Sequence, residues 1–166
     1  MHRISRVIGA ALFLACTSLR AHDFWIEPTT FAPELGQSVG LRLRVGENLS
    51  GEVVPGTPGF ARQFVVADAD GQRPVPGQRN ADPAGAFRAA RAGLQIVAYW
   101  SRPNRIELTA DKFNGYLADE GLEHIAQQRA RRGDSAAAAR ELYVRCAKSL
   151  VLGGELVPGQ ADRRLG

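Results

Sequence analysis

Three histidines occur in the 166 residues, His2, His22 and His124, together with two cysteines, Cys16 and Cys146. His22 has the most suggestive setting, directly after Ala21 and directly before Asp23-Phe24-Trp25-Ile26-Glu27-Pro28. A cut after Ala21 would make it the first residue and put a free α-amine and an imidazole on one residue. That pair can chelate a transition metal. The amine loses its proton near neutrality, its reference pKa being about 7.7–8, and imidazole suits nickel, copper, cobalt or zinc. Asp23 could add a carboxylate or a deprotonated amide. His124 is the one imidazole left to partner His22, so His22, Asp23 and His124 form the candidate ligand set. The plainer alternatives are a solvated terminus at His22 and a surface histidine at His124. Glu120 lies four residues before His124, a spacing that puts both on one side of a helix, where the carboxylate could ligate or orient the imidazole. Cys146 is a candidate soft ligand, but its apolar neighbours favour a buried, structural role.

Other chemistry is missing. The chain has no phosphate-binding glycine loop, no serine elbow and no HExxH or CxxC motif. A catalytic triad would need a histidine with partners, and after cleavage only His22 and His124 remain, so acyl transfer is not expected and no catalytic residue is assigned. The formal charge of +4 comes down to +1 when Arg3, Arg6 and Arg20 go with the first 21 residues. The basicity is then a targeting feature and not a nucleic-acid footprint. Arg129, Arg131 and Arg132 have no interleaved aromatics and read as a solvated helix end.

Residues 1–21 have the three parts of a secretory signal. His2, Arg3 and Arg6 make a positive start, Val7 to Ala15 an apolar run, and Thr17-Ser18 leads to Ala21. The run is shorter than the roughly 20 residues that span a bilayer, so no transmembrane segment is expected after cleavage. The expected location is periplasmic or extracytoplasmic. Leu14-Ala15-Cys16 loosely resembles a lipid-attachment signal, with Phe13 where leucine is usual. With Cys16 removed, no internal disulfide is possible.

The elements that must position these residues are mostly strands. Phe24 to Glu27 alternates and is stopped by Pro28. In Gln37 to Glu47, Val39, Leu41, Leu43 and Val45 share one face while Arg42 and Arg44 take the other, the pattern of a half-buried antiparallel strand. Gly46 through Gly59, rich in glycine and proline, reads as an exposed loop. Phe60 to Ala67 is a strand, Asp68 to Gly71 a turn, and Arg73 to Pro76 at most an edge strand. After a turn at Asn80 to Gly85, Leu94 to Trp100 is an apolar strand. Pro103 interrupts, and Arg105 to Thr109 resumes. Helix formers then predict helices over Ala110 to Leu117 and Glu120 to Arg132, the second capped by Asp119 and ended by Gly133. Phe113 and Tyr116 would anchor the first onto the sheets. A third short helix is expected over Ala136 to Ala139. Leu142 to Leu152 fits either strand alternation or i, i+4 helical spacing. Short strands with frequent turns indicate a mainly β antiparallel sandwich, one domain over residues 22–166.

The order of these segments resembles a bacterial exported family filed as domain of unknown function 4198, whose members are described as accessory to nickel or cobalt uptake. The likeness is carried by His22-Asp23-Phe24-Trp25-Ile26-Glu27-Pro28, Leu41-Arg42-Leu43-Arg44-Val45-Gly46-Glu47 and Asp68-Ala69-Asp70-Gly71-Gln72-Arg73-Pro74-Val75-Pro76. Ser101-Arg102-Pro103, Lys112-Phe113-Asn114-Gly115-Tyr116-Leu117, Glu120-Gly121-Leu122-Glu123 and Ala147-Lys148 continue it. The resemblance implies an immunoglobulin-like sandwich with a helical insertion at about 110–140, and a strand over Leu142 to Leu152. Family members continue for roughly 100 residues more, about a domain's worth, so a truncated C-terminal part at 153–166 is expected. The function implied is non-enzymatic binding of a divalent transition metal, nickel or cobalt before copper, with a membrane metal transporter as partner. Two other readings stand beside it: a copper-dependent oxidative enzyme with a terminal-histidine site, and a metal-free scaffold module.

Overall fold

The computed structural model describes residues 23–57 and 59–155. The signal segment with His22, and the C-terminal stretch 156–166, lie outside the described residues. Two antiparallel four-stranded sheets face each other. The first holds β1 (Asp23–Pro28), β2 (Ser38–Glu47), β3 (Ser50–Val54) and β6 (Gly85–Arg88), with β1 on one side of β2 and β3 and β6 on the other. The second runs β10 (Cys146–Gly153), β7 (Gly93–Ser101), β4 (Ala61–Asp68), β5 (Gly71–Pro74). Between the sheets lie Ile26, Val39, Leu41 and Leu43 from one side and Val66, Val97, Tyr99 and Val151 from the other, all buried. The mainly β sandwich expected from alternation is present.

The alternation in β2 has its physical cause in this arrangement. Val39, Leu41 and Leu43 enter the core, while Arg42 and Arg44 stand on the outer face beside Glu27 of β1, at 3.6 and 2.8 Å. One flank of the sandwich is closed by the chain itself. After β1 it crosses to the other sheet, where Leu152 donates to the Phe31 carbonyl (2.8 Å) and Gly154 to that of Pro33 (3.0 Å). The spacing of these two bonds runs parallel along both segments.

Several expectations need correction. The Gly46–Gly59 stretch is not all loop, because Ser50–Val54 forms β3. Asn48 (φ 51°) and Leu49 (φ 59°) both take left-handed conformations, which makes the two-residue turn whose twist suits a hairpin. Gly46 lies opposite Gly51, and a Cβ on either would collide with the facing backbone. The glycines that signalled a loop are therefore what lets β2 and β3 close together. β6 was not anticipated. It is four residues long, too short for a periodic signal.

The insertion is larger than two helices. β8 (Asn104–Leu108) and β9 (Ala139–Tyr143) pair as a separate two-stranded ribbon, and between them lie α1 (Ala110–Asp119) and α2 (Glu123–Arg132). α2 starts later than expected. Asp119 closes α1 instead of capping α2, Gly121 (φ 66°) separates the helices, and Leu122 occupies the cap position. Gly133 does end α2 in the left-handed region, at φ 76°. The alanine run forms no third helix. Ala139 is buried and opens β9 opposite Leu108, so pairing overrides alanine's helix propensity. Leu142 to Leu152 is extended, as the resemblance implies, but it divides between β9 and β10, in different sheets. Finally, α1 packs on α2 and β8: the Phe113 and Tyr116 rings lie 5.9 Å apart and the Arg129 guanidinium stacks 4.9 Å from Phe113.

Candidate metal centre

Asp23, the first described residue, is exposed at the head of β1 opposite Gly46. The next residue is already packed. The Phe24 ring lies 5.4 Å from Tyr99, which in turn meets Phe64 edge-on at 5.4 Å. Arg145, in the short link between β9 and β10, places its guanidinium 5.6 Å from the Phe24 ring and 5.5 Å from the Tyr143 ring. The link is pinned by Ser101: its Oγ accepts the Arg145 N–H (2.9 Å), and its own N–H donates to the Arg145 carbonyl (2.9 Å). Asn104 Nδ2 donates to the Tyr143 hydroxyl at 2.7 Å. A cation held between two aromatic faces thus stands at the end of the sandwich where the chain enters β1.

His124 is elsewhere in the fold. It is exposed on α2, whose packing is onto α1. Glu120 caps the end of α1 and is not part of α2, so the expected i, i+4 pairing of Glu120 with His124 along one helix does not exist. Among the described residues, no three His, Cys, Asp or Glu side chains gather as a metal-holding group. Cys146 is exposed at the start of β10, which corrects the expectation of burial. It stands on the face opposite the core, since its neighbours Ala147, Ser149 and Val151 take the inward positions. His22, the primary ligand of the candidate set, lies outside the described residues.

Arg145 and Tyr99 are what sequence reasoning missed at this end. No pattern marks them: Arg145 is one of many arginines, and its position depends on a strand break that the run Leu142 to Leu152 does not announce. Tyr99 also borders a cavity of about 230 Å³ on the opposite flank, between the sheets, with Leu43, Ala61, Phe64, Val75 and Ala84 around it. None of the described residues lining it is charged, so its chemistry is that of apolar contact and not of proton transfer.

Burial pushes the Tyr99 hydroxyl above its usual pKa near 10, against the smaller opposing pull of the Arg145 charge. Tyr116 is also raised, by burial first and then by Glu141 and Glu120. A phenol with a raised folded pKa stabilises the fold fully below the unfolded value. That contribution is lost as pH rises through the folded value, because the unfolded chain releases its proton first. Urea midpoints should therefore hold steady to about pH 9.5 and fall above about pH 10. Tyr99→Phe should flatten the fall, leaving the share that belongs to Tyr116. An unchanged alkaline slope in Tyr99→Phe would remove Tyr99 from this account.

No family model, curated protein or solved structure matches the chain. Among the described residues, no helix is long and apolar enough to cross a membrane.

Proposed function

We propose that this protein is an exported, non-enzymatic binder of a divalent transition metal, nickel or cobalt before copper, which it passes to a membrane transporter. The observation that carries the reading is the placement of Asp23, exposed at the very start of β1. A cut after Ala21 leaves one residue, His22, ahead of that strand, so both donors would belong to the neighbour of Asp23. Chelation by one residue then needs no distant partner. His124 would enter only as a further ligand. Asp23 offers the further donors: its carboxylate, or its amide once deprotonated. The resemblance described above supports the same reading.

The test is metal titration of protein that begins at His22 against protein with one extra residue before it. The added residue moves the amine away from the imidazole and breaks the chelate. Affinity for nickel, cobalt and copper should fall about tenfold or more, the loss of at least 1.4 kcal/mol. Equal affinities would sink the proposal. Oxygen consumption by the copper-loaded protein with a reductant would instead favour the oxidative enzyme, and no binding at all the scaffold module.

A further inference from the structure

The β8–β9 ribbon stands apart from both main sheets and, among the described residues, has no third strand. Two strands alone are marginal in water, and an open edge is a template for another strand. In β8, Arg105, Ile106 and Glu107 are all exposed, Ile106 at 40%. Neither Arg105 nor Glu107 forms an ion pair with any other described residue.

In an antiparallel pair, alternate residues turn their N–H and C=O groups away from the partner strand. The Arg105 N–H is held by the side chain of its own neighbour, Asn104 Oδ1, at 3.0 Å, which identifies Arg105 and then Glu107 as the outward-turned positions. Around Ile106 the sequence Asn104-Arg105-Ile106-Glu107-Leu108 is antisymmetric in charge. A second copy laid antiparallel against it about Ile106 meets Arg105 with Glu107 twice, at the two positions whose main-chain groups turn outward, the Arg105 N–H exchanging its Asn104 Oδ1 contact for the facing strand. Ile106 then faces Ile106. The opposite edge lacks this property: a two-fold about the centre of β9 sets Glu141 against Glu141, a like-charge pair that destabilises a sheet.

We propose that β8 is the seam of a homodimer in which two ribbons join into one four-stranded antiparallel sheet. Across one face of that sheet the rows read Leu142, Arg105, then Glu107 and Arg140 of the other copy, since Arg105 pairs with Leu142 and Glu107 with Arg140 within each ribbon. Each Glu107 is thereby flanked by an arginine on both sides. Along the other face the two Ile106 side chains cover each other. The interface is isologous and closes on itself, so it stops at two copies.

The purified full-length chain should sediment as a dimer that dissociates on dilution. Arg105→Glu places like charges opposite each other at both symmetry-related positions, and so does Glu107→Arg. Each should raise the dissociation constant about tenfold or more, cross-strand charge pairs being worth up to about 1 kcal/mol apiece and each being changed twice. The double variant R105E/E107R restores opposite charges across the seam and should bind more tightly than either single variant, short of the original constant because the arginine at position 107 then lies beside Arg140. Both residues are exposed, so circular dichroism of the variants should match the parent. A second measurement does not depend on charge. With Cys146→Ser, Ile106→Cys puts two thiols at a non-hydrogen-bonded pair with Cα atoms about 4.5 Å apart, inside the disulfide range. Mild oxidation should give a covalent dimer, whereas Leu142→Cys in the same background should not, although Leu142 is more exposed at 61%. A monomer at every concentration would overturn the proposal. So would a dimer indifferent to the single reversals, a double variant no tighter than the singles, or cross-linking that favours Leu142→Cys.

Discussion

Leu41→Ala is expected to lower the unfolding free energy by about 3–4 kcal/mol, near the middle of the range for a large side chain removed from a packed core. Leu41 is fully buried, paired with Pro28 of β1 on one side and Gly85 of β6 on the other. Its side chain is thus walled by both neighbouring strands and by the facing sheet, and the site has little freedom to collapse. Leu43 is the internal comparison. It is almost as buried, at 2%, but borders the 230 Å³ cavity beside Tyr99 and Phe64. Side chains lining an existing space already lack contacts on that side, so Leu43→Ala should cost less, about 2 kcal/mol. The check is urea denaturation with unchanged m-values. A loss below 1 kcal/mol at Leu41, or a larger loss at Leu43, would show that the core is not centred where the burial puts it.

The second large effect belongs to Asp68→Ala, at about 2–3 kcal/mol. The Asp68 side chain is only 4% exposed and pairs with Arg73 Nη1 across the β4–β5 hairpin. Its other oxygen accepts the Asp70 N–H at 3.1 Å, closing the turn. Truncation removes both bonds and leaves the guanidinium without its carboxylate, next to an Arg73 Nη2 that has no partner among the described residues. Breaking a buried pair from one side costs about 3–5 kcal/mol. Arg73 is 39% exposed, and solvent reaching it lowers the expected figure. Asp68→Asn keeps an acceptor for the turn and should lose about half as much. Adding Arg73→Met to Asp68→Ala removes the stranded charge and should recover about 1 kcal/mol. If the double variant is no more stable than the single, the pair contributes nothing beyond the turn.

What the sequence makes legible here follows from burial on one face. β2 is readable because its apolar side chains all enter one core while its arginines meet Glu27 outside. β4 and β7 are readable because they lie in the middle of a sheet, with apolar runs at Phe64 to Ala67 and Ile96 to Trp100. β3, by contrast, is exposed along almost its whole length, so no alternation is imposed on it. Its formation depends on a tight glycine pair and two left-handed residues, features that look like loop chemistry when read locally. The alanine run shows the opposite failure: local propensity for helix was strong, and a single long-range pairing of Ala139 with Leu108 overrode it. The candidate site divides in the same way. Asp23 stands at a strand head, as the alternation beginning at Phe24 requires. His124 stands on a helix, as its neighbours' spacing indicates, but Glu120 lies on the other side of a break at Gly121, which a residue count cannot detect. Arg145 became visible only once the folded chain brought Phe24, Tyr99 and Tyr143 around it.

The crossing of the chain from one sheet to the other also decides how the sandwich would bear force. Residues 31–33 run parallel to residues 152–154 and are joined to them by the bonds from Leu152 to Phe31 and from Gly154 to Pro33. Tension applied between the chain's two ends pulls these segments past each other along their length. Bonds set across such a direction are loaded together, in shear, and must yield in one step. A hairpin pulled from its open end, by comparison, gives up its bonds one at a time. The same strand switch that seals the flank of the core therefore sets a shear-loaded seam behind β1, whose ladder with β2 passes the N-terminal pull on to it.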